Sequence, residues 1–300
     1  MCGGAIISDK WIATAAHCVN GYQSGHIVVI HGLTVLPQSQ VKAENWAYAS
    51  SLHVHADYNR FNNMYDIALI ELTNKLDFSD GNRWPACLPP NDFCVAAGED
   101  VTVSGWGATA ESGNTSPTLK AVNVPQLSAA DCYNRMLAIG RQISKPTMTC
   151  AGGEIGEDAC QGDSGGPLTY RDANGVHTLV GLVSWGVGCA RQNIPGIYTR
   201  VTYMLQWIKA ISQVDNDGGD SAMFCGDDVS NAGSTAAPTT TTTTALITTT
   251  ASTTTVATTT ASTPLGASCK FRKVLLFQNI GPTGLVFTFF TSIRSRSDFA

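Results

Sequence analysis

Short apolar runs bounded by turn-forming residues dominate the first two thirds of the chain. "HIVVIHG", "DIALIEL", "VTVSGWG", "HTLVGLVSWG" and "GIYTRV" are each too short for an ordinary helix, and Gly, Asn, Pro or Asp stands between them. Many short strands with turns between them predict an all-β barrel or sandwich. Two segments break that rhythm. Ser128 and Asp131 form a capping box ahead of "CYNRMLA", which predicts a helix. Met204, Ile208 and Ile211 make one apolar stripe on "YMLQWIKAIS", with Thr202 as its expected N-cap. This second helix is expected to close the domain by packing onto it.

Composition changes after Val214. The expected organisation is a folded domain over residues 1–214, a solvated linker over 215–233 containing "DNDGGD", a Thr-rich stalk over 234–264, and an unassigned tail over 265–300. A tract of Thr with Ala, Ser and Pro cannot bury a core, so it reads as disordered, either an O-glycosylated stalk or a plain spacer. The tail is either the opening of a further domain or incidental. Its apolar stretch "VLLFQNIGPTGLVFTFF" is short for a bilayer and interrupted by Gln278, Asn279, Gly281 and Pro282, so no membrane span is expected.

The 300 residues carry a net charge of -5 at pH 7, without a basic face for nucleic acid. The 10 cysteines include no Cys-x-x-Cys pair and read as disulfides of an oxidising compartment, which makes a secreted protein the expectation. The start, "MCGGAIISDKW", lacks the basic and apolar regions of a signal peptide, so the true beginning is expected upstream.

One stretch concentrates chemistry: "DACQGDSGGPLTY", residues 158–170. A serine hydroxyl is a poor nucleophile until a base takes its proton, an acid orients that base, and donors receive the oxyanion. "GDSGGP" supplies Ser164, "TAAHC" supplies His17, and "YDIALIEL" supplies Asp66 at the head of an apolar strand. Singly, each has a plain structural explanation: a histidine beside a cysteine, a strand-opening aspartate, an ordinary turn. Their joint appearance in the order His17, Asp66, Ser164 points to a serine hydrolase.

With "CGGAIIS", "WIATAAHC", "YDIALIEL", "VSGWG", "CQGDSGGPL", "LVSWGVGC" and "PGIYTRV" in that order, the chain from Cys2 to about Val214 resembles the trypsin-family (chymotrypsin-fold) serine peptidases. The resemblance implies two packed six-stranded antiparallel barrels with a C-terminal helix and the site in the cleft between them. It implies His17 as general base, Asp66 as its orienting acid, Ser164 as nucleophile, and the N–H groups of Gly162 and Ser164 as the oxyanion hole. Asp158 would sit at the floor of the primary specificity pocket, with Ser184, Trp185 and Gly186 on one wall and Gly196 on the other. That set implies an endopeptidase cutting after Arg or Lys, without a cofactor or metal, acting on protein substrates and open to protein inhibitors. A catalytically silent or zymogen-like relative acting by binding, or an inactive fragment, is the alternative. Because Glu154 and Glu157 are neighbours, Asp158 could instead belong to an acidic loop, and "AGGEIGED" is slightly shorter than in typical relatives.

The family pattern also pairs Cys2 with Cys18, Cys132 with Cys150, and Cys160 with Cys189. A further family bridge would need cysteines at Val101 and Tyr170, and both are absent together. Cys87, Cys94, Cys225 and Cys269 remain. Cys87 in "PACLPP" matches a position that tethers an upstream segment in many relatives, and a bridge to Cys94 competes with that. Relatives pair a newly freed N-terminal amino group with the aspartate before the nucleophile. Asp163 is therefore expected to be an activation switch whose partner lies upstream of this sequence. Among lesser features, "NTS" at Asn114 is a glycosylation sequon on an expected surface loop. His26, His31, His53, His55 and His177 read as strand or surface residues. "HGLTVLPQSQVKAENW" offers only Glu44 toward calcium, so no metal is expected.

Overall fold

Strand β5, Ala68–Leu72, shows how the first sheet is built. Ala68, Ile70 and Leu72 pack into the interior of that sheet with Ile6, Ile12 and Val29, whereas Leu69 and the preceding Ile67 face the opposite way. The second set meets Leu179, Leu182, Met204 and Ile208. Alternate side chains of one strand thus bury two different faces, so Ile67, Ala68, Leu69 and Ile70 read as a continuous apolar run, which Glu71 ends at the surface.

The structure is a computed structural model that describes residues 2–36, 42–156, 158–173 and 175–214, together with three short strand segments, 275–276, 278–279 and 285–288. The first sheet is formed by β1 (Gly3–Ile6), β2 (Trp11–Thr14), β3 (Ile27–Ile30), β4 (Trp46–Val54) and β5, in the order β1-β2-β5-β4-β3. The second contains β6 (Asp100–Gly105), β7 (Lys120–Pro125), β8 (Met148–Ala151), β9 (Pro167–Arg171), β10 (His177–Trp185) and β11 (Gly196–Arg200), in the order β7-β6-β9-β10-β11-β8. All pairings within these two sets are antiparallel. Its own interior holds Val101, Val103, Val124, Leu168, Val180 and Tyr198. The fold is all-β with two curled sheets, as expected, but the first carries five strands from the body of the chain rather than six. Its two outer positions are taken by β12 (Leu275–Leu276), antiparallel to β1, and β14 (Leu285–Thr288), parallel to β3, with β13 (Gln278–Asn279) beyond.

Helix α1 (Ala16–Val19) follows β2, and α2 (Ala129–Ala138) begins where the capping box places it: the Ser128 hydroxyl accepts the Asp131 N–H at 3.0 Å. The closing helix α3 spans Val201–Ser212 and starts earlier than expected. Its N-cap is Arg200, without a side-chain bond, and Thr202 lies inside it. Packing explains the shift: Val201, Met204, Leu205 and Ile208 form the i, i+3, i+4, i+7 stripe buried against the sheets.

All three family-type disulfides are formed: Cys2–Cys18, Cys132–Cys150 and Cys160–Cys189. Val101 and Tyr170 lie directly opposite one another on β6 and β9, so the cysteine-free pair still makes a cross-strand contact. Cys94 is disulfide-bonded, and Cys87 is buried with its carbonyl accepting the Leu179 N–H. Cys225, Cys269, Glu157, the linker, the stalk and most of the tail fall outside the described residues. Asn114 is exposed, and among the described residues no helix is long and apolar enough to cross a membrane.

Candidate active site

Asp66 is the most enclosed charged group of the cleft, 0% exposed. Such a carboxylate must be saturated with donors, and it is. Its Oδ1 accepts the backbone N–H of His17 at 2.9 Å, and its Oδ2 lies 2.7 Å from His17 Nδ1. The Ser184 hydroxyl donates to Oδ2 at 2.6 Å, and Thr199 Oγ1 donates to the Asp66 carbonyl at 2.7 Å. His17 sits on α1 at the end of β2, Asp66 on the turn into β5, and Ser184 and Thr199 on β10 and β11. Both sheets therefore hold the same carboxylate. The arrangement sets the imidazole tautomer, with Nδ1–H toward Asp66 and Nε2 turned away.

Ser164 approaches from the second sheet. The Gly165 N–H donates to Val183 O at 2.7 Å and Val183 N–H returns a bond to Gly166 O at 2.8 Å, so the turn is clipped onto β10. Its other side meets the first sheet, because the Ser164 carbonyl accepts the Gly3 N–H. Gly165 has φ +75°, and a Cβ there would run into Thr14 and the Gly3 carbonyl; only glycine lets the two sheets close at this point. Among the described residues, Ser164 Oγ makes no hydrogen bond to His17, and the N–H groups of Gly162 and Ser164 have no acceptor. Serine–histidine bonds are often long without substrate, and N–H groups without acceptors are what an oxyanion needs.

Beside Ser164 lies a cavity of about 300 Å³ lined by Asp158, Ser184, Trp185, Gly186, Gly196 and Tyr198, among others. Each wall residue expected from sequence is present. Gly186 leaves open space, since a Cβ there would reach only Gly188 O at 3.6 Å. A Cβ at Gly196 would lie 2.9 Å from both Asp158 Oδ1 and Tyr198 Oη, so a side chain there would collide with the floor. Asp158 accepts the N–H groups of Ala159 at 2.8 Å and Ala190 at 3.0 Å. Burial outweighs these two bonds and pushes its carboxyl up to about 6. Tyr198, fully buried, brings its hydroxyl to the same floor; burial and then the charges of Asp158 and Asp163 raise its phenol well above the usual range. Sequence reasoning missed Tyr198, because "GIYTRV" reads simply as a strand. It also took Ser184 for a wall residue alone, while the hydroxyl is committed to Asp66.

Asp163 points away from the reacting groups. Its carboxylate accepts Gly107 N–H at 2.8 Å and Cys160 N–H at 3.0 Å, and it is 7% exposed. Among the described residues no cation faces it. Burial first, and then the charge of Asp158, push it up to about 6. It borders a second cavity of about 200 Å³, lined also by Gly107, Ala108, Asp158 and Cys189.

Comparison with known proteins shows the family to which the chain belongs. Residues 1–208 match the Trypsin family. The chain is 39% identical over 211 residues to Serine proteinase stubble of Drosophila melanogaster, which covers 69% of this chain and 26% of that protein. It is 38% identical over 212 residues to Trypsin 5G1 of Aedes aegypti, covering 70% of this chain and 75% of that protein. It is 36% identical over 223 residues to Protein masquerade of Drosophila melanogaster, covering 72% and 21% respectively. The chain thus spans about a quarter of the first of these relatives and three quarters of the trypsin.

Proposed function

Since the chain belongs to the trypsin family of serine peptidases, we propose that it is a secreted endopeptidase that hydrolyses peptide bonds after Arg or Lys. The donor set on Asp66 carries this assignment: two bonds from His17 and one from Ser184 leave the imidazole Nε2 available to a nucleophile. Ser164 Oγ attacks the substrate carbonyl carbon while its proton passes to His17 Nε2. The carbonyl electrons move onto oxygen, where the N–H groups of Gly162 and Ser164 receive the charge. Imidazolium, stabilised by Asp66, then gives its proton to the leaving amine, and the acyl group stays on Ser164. Water, deprotonated by His17, releases it and restores the serine.

Substrate choice follows from the cavity beside Ser164. A long side chain passes Gly186 and Gly196 and ends at Asp158, whose charge attracts a guanidinium or an ammonium. Asp163 is the proposed activation switch: a cationic group in the adjoining cavity would offset its buried charge and stiffen the turn from Cys160 to Gly166. Asp163, which no cation faces among the described residues, favours a second reading, a zymogen-like state of low activity. Three disulfides support an oxidising, extracellular setting. Residues 1–214 are proposed as the peptidase domain, 215–233 as a linker and 234–264 as a spacer, with protein inhibitors as further partners. Hydrolysis of paired peptide esters differing only in Arg, Lys or Phe before the cut bond tests the proposal. Turnover of the Arg and Lys esters is expected, and equal turnover of all three would remove the specificity assignment.

A further inference from the structure

The residue immediately before Asp66 has a backbone conformation that its side chain disfavours. Tyr65 has φ 54°, in the left-handed region that glycine and asparagine enter readily and a bulky residue does not. Such a conformation is depopulated about 5- to 30-fold in the absence of outside support. The support is visible. The Tyr65 ring stacks on His55 with centroids 4.7 Å apart and planes at 20°. His55 in turn meets Trp207 of α3 at 5.0 Å, and Tyr65 meets Tyr203 of α3 at 6.2 Å, ring centroid to ring centroid. The loop closes on itself as well: Ile67 N–H donates to Tyr65 O at 2.8 Å, and His55 N–H donates to Ile67 O at 3.1 Å. Helix α3 is anchored independently by Met204, Leu205 and Ile208 in the core.

We propose that Tyr65 is a positioning residue: its ring, held between His55 and α3, maintains the left-handed turn that aims both Asp66 oxygens at His17. None of these aromatic groups touches His17 or Ser164 in the hydrogen-bond network, so the effect passes through the backbone of Asp66. The closing helix is thereby tied to the catalytic carboxylate. The claim about geometry stands by itself, and the claim about rate rests on the peptidase reading.

Proton NMR of the full chain in water tests the geometry, because a hydrogen bond as short as His17 Nδ1–Asp66 places its proton in a resonance far downfield. Tyr65→Ala is expected to lose or strongly broaden that resonance, and to lower kcat about tenfold with KM held within about twofold. Tyr65→Asn, which tolerates the left-handed turn without a clamp, is expected to keep the resonance and to hold kcat within about threefold of wild type. Trp207→Leu, which leaves the Asp66 loop untouched, is expected to broaden the resonance as Tyr65→Ala does. A full-strength resonance in Tyr65→Ala or in Trp207→Leu, or an asparagine variant as damaged as the alanine one, would overturn the proposal. Wild-type protein with the resonance and no hydrolysis would instead remove the peptidase reading and leave the positioning role in place.

Discussion

Replacing Asp163 by asparagine should stabilise this chain at alkaline pH and leave it nearly unchanged in acid. In the folded protein, burial lifts the Asp163 carboxyl to about 6 from an ordinary 3.8, which corresponds to about 3 kcal/mol. A carboxyl whose folded value is raised contributes fully below its unfolded value and loses that contribution as pH rises through the folded value. Above pH 6 the wild type therefore carries a buried charge that no cation faces among the described residues. Asparagine removes the charge but keeps only one acceptor for the Gly107 and Cys160 N–H groups, a loss of about 1 kcal/mol. The net expectation is a gain of about 2 kcal/mol at pH 8 that shrinks through pH 6 and closes to within about 1 kcal/mol below pH 4. Urea unfolding with the disulfides intact, followed by tryptophan fluorescence across that range, measures it. A variant less stable than wild type at pH 8, or a difference that does not vary with pH, would refute the description of Asp163 as a charge without a counterion.

Asp158→Ser should lower kcat/KM on Arg and Lys esters by about 10²–10³-fold while sparing a Phe ester; continued preference for Arg over Phe would place the specificity determinant elsewhere. With wild type, kcat/KM on an Arg ester relative to a neutral one should rise with pH through about 6, as Asp158 becomes charged, and a flat ratio between pH 5 and 7 would argue against its role. Gly196→Val should close the cavity against Asp158 and Tyr198, abolishing turnover of long basic substrates at least about a hundredfold, which competition between Arg and Ala esters would reveal. Ser184→Ala should strip one donor from Asp66 and reduce kcat by about tenfold with a stability loss of about 2 kcal/mol, read by kinetics and urea unfolding together.

Elements whose signal is local were legible in the sequence. The strands declare themselves as short apolar runs, α2 by its capping box, and the His17, Asp66 and Ser164 motifs by their order along the chain. The start of α3 was not, because Val201 joins the helix through packing against core residues far away in sequence. Ser184 and Tyr198 show the same limit at the site: one hydroxyl turns to a carboxylate 118 positions away, and the other closes a pocket floor from within a strand. The left-handed turn at Tyr65 had no sequence signal at all, since tyrosine is a poor residue for it and only tertiary stacking holds it there.

The central claim is that Ser164 is a nucleophile activated by His17. Intact-mass and peptide-level mass spectrometry after treatment with an arginine-like aryl phosphonate tests it most directly. The account predicts a single covalent adduct on the peptide containing Ser164, at one equivalent per chain, and none in His17→Ala. An unmodified Ser164 after prolonged exposure, or equal modification with and without His17, would contradict it.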